Sequence, residues 1–118
     1  MTSLIASVSS GKGTWAHLSQ VIDKKEWDNV YLVTDEFGKE NFKPNKEVTY
    51  IVINPNSILE NLIEDIKEQL KNRILDTEVA INFISGVGKE HMAILSAVLK
   101  LGLGIRQVAL TPDGVKEI

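Results

Sequence analysis

Residues 79–102 constrain the fold of this chain more than any other stretch, and they read VAINFISGVGKEHMAILSAVLKLG. Residues 79–84 form a short, apolar, β-rich run that predicts a buried strand. The pattern then breaks at Gly86 and Gly88, and a helix is predicted directly afterwards. A strand, a glycine turn and a helix together form the unit that points backbone N–H groups and a helix N-terminus at an anion.

The helix predicted after these glycines has a basic first turn and one apolar face. Lys89 and His91 stand in the first turn, where a cation opposes the helix dipole by a few tenths to about 1 kcal/mol. That cost suggests a negative ligand nearby, although an exposed lysine tolerates the same cost. The residues predicted to form the apolar face are Met92, Leu95, Val98, Leu99 and Leu101.

Charge and composition argue against several classes of function. The net charge is −3, so no extended surface for duplex nucleic acid is expected. There is no cysteine, which excludes disulfides and thiol nucleophiles. His17 and His91 are the only histidines, so neither a metal nor a cofactor is expected. No apolar run reaches the roughly 18 residues of a membrane span, and the N-terminus does not resemble a signal peptide. We therefore expect one cytoplasmic domain over residues 1–118, with no membrane partner.

The rest of the chain alternates between strand and helix patterns. Such alternation favours βαβ units with right-handed crossovers. We predict an α/β fold: a Rossmann-like open, mainly parallel sheet of five to six strands, with helices on both faces and a C-terminal β-hairpin. A capping box is predicted at residues 57–60, and at most one short helical turn within residues 35–47. The predicted strands are residues 3–9, 29–34, 48–53, 79–84, 105–111 and 115–118, and the other helices are residues 14–23 and 57–74.

The first and fourth predicted strands each lead through a glycine turn into a helix. If these strands are neighbours where the strand order reverses, residues 9–14 and 85–89 face each other across one crevice. Ligands of open α/β sheets bind in such a crevice. Side chains at the ends of the second and third strands would form its rim. The candidate ligand-binding residues are Gly11, Lys12, Gly13, Thr14, Thr34, Asp35, Asn54, Ser85, Gly86, Val87 and Gly88.

Residues 10–14, Ser-Gly-Lys-Gly-Thr, are close to a phosphate-binding P-loop but lack two required residues. The pattern needs a glycine five positions before the glycine of its Gly-Lys pair, and a serine or threonine directly after the lysine. Those positions hold Ala6 and Gly13. An anion-accepting turn is one interpretation, and a turn whose glycines serve only the backbone is another. A small magnesium-dependent phosphotransfer enzyme is the weakest functional alternative.

Residues 81–114, INFISGVGKEHMAILSAVLKLGLGIRQVALTPDG, resemble a known family. They are similar to the fourth strand, the glycine turn with its basic residue, the following helix and the closing hairpin of the CRISPR-associated Rossmann-fold (CARF) domains. The start of the chain, a strand that ends in small polar residues before a glycine turn, resembles the first motif of that family. In this sequence the second turn is one residue longer before its lysine than the compact form of the motif.

The resemblance implies that a homodimer binds a cyclic oligoadenylate across its twofold axis, in CRISPR-linked antiviral signalling. Some members of the family only sense this ligand, and others, the ring nucleases, cut it without a metal. Ser9 and Ser10 match the serines of the first loop, and Lys89 matches the basic residue of the second. His91, in the first turn after that lysine, is expected to contact a phosphate or to assist proton transfer, and a surface or helix-packing histidine is the alternative interpretation. Ser9, Ser10, Lys89 and His91 are the catalytic candidates. The alternative is a small non-catalytic α/β module that binds a nucleotide or a protein.

Overall fold

A computed structural model describes residues 2–118 of the chain, in which strands and helices alternate. Within those residues, no helix is both long and apolar enough to cross a membrane. A 3-10 turn at Lys12–Thr14 leads into the first α-helix. In chain order the elements are β1 (Ser3–Ser7), α1 (Trp15–Asp23), β2 (Val30–Thr34), α2 (Glu36–Asn41), β3 (Thr49–Val52), α3 (Leu59–Lys71), β4 (Glu78–Asn82), α4 (Gly88–Lys100), β5 (Gly104–Thr111) and β6 (Gly114–Glu117).

The six strands form one sheet in the order β3-β2-β1-β4-β5-β6. The first five strands of this order are parallel, and β6 pairs antiparallel with β5 as a hairpin. Strands β1 and β4 are neighbours, with Ala6 opposite Asn82, so the strand order reverses between them. The predicted fold class is confirmed, and so is the assumption that placed the two glycine turns at one switch point.

Each face of the sheet has its own apolar core. On β1, Ile5 faces the cluster that contains α3 and α4, whereas Leu4 and Ala6 face the cluster that contains α1. The central strands are therefore buried on both faces, which explains why they are nearly continuous apolar runs. This packing confirms the prediction of helices on both sides of the sheet.

Helix α4 carries apolar side chains on two opposite sides, which the sequence pattern did not separate. The predicted apolar face is wrong for Met92, Leu95 and Leu99, which are 57%, 38% and 58% exposed. The prediction followed the large side chains and passed over Ala93 and Ala97, which are buried in the core cluster that α4 shares with α3. The fully buried residues of α4 are Ala93, Ile94, Ala97 and Val98.

Two predictions about helix ends also need correction. The capping box at residues 57–60 is wrong, because α3 begins at Leu59 with Ile58 as its N-cap and no side-chain capping bond. Asn54 forms a turn there instead: its side-chain oxygen accepts from the Asn56 amide at 3.0 Å, and its carbonyl accepts from the Ser57 amide at 3.1 Å. The six-residue helix α2 is longer than the single turn expected between the second and third strands.

Candidate functional site

The two glycine loops meet at the switch point between β1 and β4. We call residues 9–14 loop 1 and residues 85–89 loop 2. The Ser9 amide donates to the Ser85 hydroxyl at 2.8 Å, and the Ser9 and Ser85 hydroxyls are 3.2 Å apart. Ser85 is buried and Ser9 is partly exposed, so this contact lies at the edge of the interior. Two segments separated by more than 70 residues along the chain therefore form one continuous surface.

Loop 2 is held by a tightly packed glycine and a histidine. Gly86 has a φ of +101°, a conformation that favours glycine. A Cβ atom there would lie 3.0 Å from the Nε2 atom of His91 and 3.0 Å from the hydroxyl of Ser7. Both groups bind the Ser85 carbonyl: the Ser7 hydroxyl donates to it, and the His91 Nε2–H donates to it at 2.7 Å. The His91 ring also stacks on Phe83, with centroids 4.7 Å apart.

His91 was predicted to assist proton transfer, and the structure shows which atom is engaged. A carbonyl oxygen can only accept, so Nε2 of His91 carries the hydrogen in this arrangement. The nitrogen left for a ligand is Nδ1. The catalytic role of His91 stays a prediction, and its role in holding loop 2 is a direct contact.

Loop 1 is held mainly by local hydrogen bonds among residues 9–15. The Ser9 hydroxyl accepts from the Gly11 amide at 3.2 Å, and the Trp15 ring N–H donates to the Ser9 carbonyl at 3.0 Å. Gly13 is exposed, and a Cβ atom there would have no neighbour within 4 Å. Ser10 is also exposed, so its hydroxyl can meet a ligand without a rearrangement.

The helices that follow the two loops begin without side-chain caps. Val87 is the N-cap of α4 and Thr14 is the N-cap of α1, and neither makes a side-chain capping bond. The first N–H groups of a helix have no partner inside it, so they attract anions. Gly88 is the first residue of α4, and a Cβ atom there would meet nothing within 4 Å, which leaves its backbone accessible. At α1 the Trp15 backbone N–H already donates to the Lys12 carbonyl of the preceding 3-10 turn, so the N-terminus of α4 is the one that adjoins the loop contact as an anion-binding helix end.

The lysines of the two loops reach the rim of one cleft. The Lys12 ammonium lies 5.8 Å from the centroid of the Phe37 ring and 5.7 Å from that of Trp15. The Lys89 ammonium donates to the Pro55 carbonyl at 3.1 Å. Phe37 and Pro55 both line a cleft of about 510 Å³, which we call the side cleft. The residues that line the side cleft are Asp35, Glu36, Phe37, Val52, Ile53, Asn54 and Pro55.

The three candidate rim residues differ in their freedom to bind a ligand. Asp35 caps α2, because its Oδ1 atom accepts from the Gly38 amide at 2.9 Å, and it lines the side cleft. Asn54 is exposed and also lines the cleft. Thr34 is buried, and its hydroxyl donates to the Val8 carbonyl at 2.9 Å. Thr34 therefore supports the backbone that leads into loop 1.

Glu90 is an ionisable residue of this site that the sequence analysis missed. It is half-buried in the first turn of α4, and burial raises the pKa of its carboxyl group. The nearby charge of Asp35 also raises that pKa, whereas the Val87 backbone, His91 and Lys89 act in the opposite direction. The sequence feature that could have identified Glu90 is its position as an acidic residue next to Lys89 in the first turn of a predicted helix. The site is therefore not uniformly basic.

No metal centre is evident in the described part of the chain. His17 lies on α1, where its Nε2 atom accepts from the Leu110 amide at 3.2 Å, whereas His91 lies on α4. Among residues 2–118, no group of three or more histidine or carboxylate side chains is arranged to hold a metal ion. The expected absence of a metal and of a cofactor stays a prediction.

An open, mainly parallel sheet with two glycine loops in contact at its switch point is characteristic of a Rossmann-like α/β fold. No protein-family model matches the chain, and no curated protein matches it. Among solved structures, the chain is similar to Enterococcus italicus Csm6 bound to cyclic hexa-2′-fluoro-hexa-dAMP, with a TM-score of 0.61 and 14% sequence identity. The similarity covers 98% of this chain and 35% of that chain, so this chain spans about a third of the Csm6 length. At this sequence identity the likeness concerns the fold alone.

Proposed function

We propose that two copies of this chain bind one cyclic oligoadenylate at the crevice between β1 and β4. The observation that carries the proposal is the contact between loop 1 and loop 2, where the Ser9 amide meets the Ser85 hydroxyl at 2.8 Å. The similar structure of Csm6 holds a cyclic hexanucleotide analogue, which supports a ligand of the same class here. CRISPR-linked signalling and a cytoplasmic location are part of the same proposal.

Phosphate binding would fall to the backbone of the loops and to two lysines. The exposed backbone around Gly13 and Gly88 lets a phosphate approach N–H groups closely. Lys12 and Lys89 reach the same cleft and supply positive charge to a chain whose net charge is −3. Local donors of this kind bind an anion without a basic surface overall.

Helix α4 offers a surface for the homodimer. Met92, Leu95 and Leu99 recur at i, i+3 and i+7 on one side of the helix and are largely exposed. Val87, which is 57% exposed, belongs to loop 2 and precedes this side. Exposed apolar patches on soluble proteins commonly mark interaction surfaces. If two copies pair through this side, loop 2 of each copy lies close to the twofold axis of the dimer. A symmetric pair of loops suits a cyclic ligand made of identical nucleotides.

The dimer has its own test. Leu95→Glu places a charge on the α4 side and should convert a dimer into a monomer in analytical ultracentrifugation. Leu75→Glu is the matched control, because Leu75 is 91% exposed and lies outside α4. A wild-type protein that stays monomeric with and without the ring would contradict this part of the proposal.

We further propose that the same site cleaves the ring without a metal. A ribose 2′-hydroxyl attacks the adjacent phosphorus, the bond from phosphorus to the 5′-oxygen breaks, and a 2′,3′-cyclic phosphate and a 5′-hydroxyl result. The 2′-hydroxyl gives up its proton and the 5′-oxygen gains one, so atoms balance. Lys89 and the loop 2 amides stabilise the negative charge that develops on the non-bridging oxygens of the pentacoordinate phosphorane. Ser9 and Ser10 orient the ribose, and His91 assists the proton transfer.

The decisive experiment incubates the protein with cyclic tetra-adenylate and cyclic hexa-adenylate, with and without EDTA. Binding of either ring, and linear products that persist in EDTA, are the expected results. Lys89→Ala should weaken binding roughly tenfold or more, since charge-assisted contacts to phosphate are strong. Lys100→Ala is the matched control at the other end of α4. If neither ring binds, the proposal fails, and a module that docks on proteins without a nucleotide becomes the better explanation.

A further inference from the structure

We infer that the side cleft is the nucleoside subsite of this nucleotide site, in which Phe37 packs against the base and Asp35 accepts a hydrogen bond from the ribose 2′-hydroxyl. The inference rests on the proposed function for the identity of the ligand. It assigns different parts of the nucleotide to two neighbouring surfaces, the glycine loops and the side cleft. Phosphates lie on the glycine loops, and the nucleoside lies in the cleft beside them.

The volume and the apolar wall of the side cleft suit a nucleoside, and the cleft is widely open to solvent. Its volume of about 510 Å³ falls in the range of small-molecule sites. Phe37, Val52, Ile53 and Pro55 give it an apolar wall, and Phe37 is 39% exposed there. Nucleobases that leave a stack commonly pack on aromatic side chains. A base in this cleft would cover Phe37 and remove its ring from water.

The charge around the cleft favours hydrogen-bond donors inside it and phosphates at its rim. Asp35 and Glu36 line the cleft, and ionised carboxylates can only accept hydrogen bonds. They repel a phosphate and attract a hydroxyl or an amino group. The ammonium group of Lys12 lies near Phe37 and that of Lys89 binds the Pro55 carbonyl, and both of these residues line the cleft. A nucleotide with its sugar inward and its phosphates outward satisfies both sets of charges.

Asp35 has one carboxylate oxygen to spare. Its Oδ1 atom accepts from the Gly38 amide to cap α2, and this bond orients the side chain without using Oδ2. In a ring with 3′–5′ linkages, the 3′ and 5′ oxygens of each sugar are esterified. The 2′-hydroxyl is then the only sugar group that can donate, so a bond to Asp35 would distinguish ribose from deoxyribose.

The experiment compares adenosine 3′,5′-bisphosphate with its 2′-deoxy form, which reproduce the esterified oxygens of the ring in an uncyclised probe. Wild-type protein should bind the ribose form roughly tenfold more tightly, the scale of one hydrogen bond to a charged group. Asp35→Ser keeps a side-chain cap for α2 but removes the second oxygen, so the preference should fall to about one. Glu40→Ser is the matched control, because Glu40 lies on α2 outside the cleft lining, and it should leave the preference unchanged.

Phe37→Ala separates the base from the sugar. It should weaken both probes by a similar factor, roughly five- to tenfold or more, because base stacking does not depend on the 2′-hydroxyl. NMR shifts of the Phe37 and Asn54 amides on adding either probe would locate the ligand in the cleft.

The outcomes separate this inference from the proposed function. If cyclic rings bind but wild-type protein shows no ribose preference, or keeps it in Asp35→Ser, the subsite is wrong and the proposed function stands. If no ring binds but the bisphosphate shifts the cleft amides with a ribose preference, the subsite stands and the proposed ligand is wrong. If neither the rings nor the bisphosphates bind, both fail.

Discussion

Loop 1 and loop 2 occupy equivalent places after neighbouring strands, yet different forces determine their shapes. Loop 2 depends on Gly86, whose positive φ and close neighbours leave no room for a side chain. Loop 1 contains Gly13, which lies in the open with no neighbour within 4 Å of a Cβ position. Packing inside the chain therefore explains a glycine in loop 2 but not at Gly13. For Gly13, the proposed function offers a testable reason, which is close approach of a ligand to the loop 1 backbone.

Gly86→Ala should disturb loop 2 more than any other single substitution in it. The new Cβ would lie 3.0 Å from both the His91 ring and the Ser7 hydroxyl, in a backbone conformation that L-residues avoid. We expect the free energy of unfolding to fall by about 2–4 kcal/mol, from strain and overpacking together. Gly88→Ala is the matched control in the same loop and should change stability by about 0.5 kcal/mol or less, because its surroundings are open. Urea unfolding of both variants measures the difference, and equal losses would show that loop 2 is not held by packing.

A smaller effect is expected when the contact between the loops is removed. Ser85→Ala deletes the acceptor of the Ser9 amide and leaves that amide partly buried without its partner. The expected loss of stability is about 1–2 kcal/mol. Ser10→Ala, in the exposed part of loop 1, should cost less than about 0.5 kcal/mol. A Ser85 variant as stable as the Ser10 variant would mean that the loops do not support each other.

Gly13→Ala tests the loop 1 half of the comparison. The open surroundings of Gly13 predict unchanged urea unfolding, whereas a ligand that approaches the backbone there would meet the new methyl group. Affinity for cyclic hexa-adenylate should then fall by about tenfold, the scale of one hydrogen bond to a charged group. Isothermal titration calorimetry gives the affinity. Full affinity in Gly13→Ala would remove the ligand as the reason for this glycine.

The fold could be predicted from the sequence because its signals are local and mutually consistent. Apolar runs such as residues 79–84, followed by a glycine turn and a helix, predict βαβ units, and few strand orders suit them. The meeting of the two loops followed from that order. The buried side of α4 was predicted wrongly. The spacing of apolar residues shows two apolar sides on this helix, one with Met92 and Leu95 and one with Ala93 and Ala97, and spacing alone does not tell which of them is buried.

The details of the site were less accessible to prediction. Lys12 packs over Phe37 and Lys89 binds the Pro55 carbonyl, and both contacts are tertiary ones between segments distant in sequence. The burial of Glu90 depends on the same packing, so no local pattern could give the direction of its pKa shift. Residue types near a glycine turn can be identified from sequence, but their contacts and ionisation depend on neighbours that only the fold supplies.

The two loops also differ in nearby charge, because α4 places Glu90 beside loop 2. The change in stability expected from this carboxyl group is the smallest of the predicted effects. Burial raises the pKa of Glu90 above its usual 4.5, so the folded protein holds this proton more tightly than the unfolded chain does. The resulting stability is fully present below pH 4.5 and is lost as the pH rises through the raised pKa. Glu90→Gln stays neutral, so it should be more stable than wild type at pH 7 by roughly 0.5 kcal/mol or less, since solvent screens a half-buried group. The two proteins should have equal stability at pH 4.

Ligand binding provides a second measurement of the same carboxylate. A phosphate on loop 2 repels ionised Glu90, so wild-type affinity for cyclic hexa-adenylate should rise as the pH falls from 7 toward 5. His91, Lys89 and Asp35 are the other ionisable groups whose charge acts on Glu90, and they remain in Glu90→Gln. The part of the pH dependence that disappears in Glu90→Gln therefore belongs to Glu90. An identical pH profile in both proteins would place the phosphates away from α4 and leave loop 1 as the only anion-binding loop.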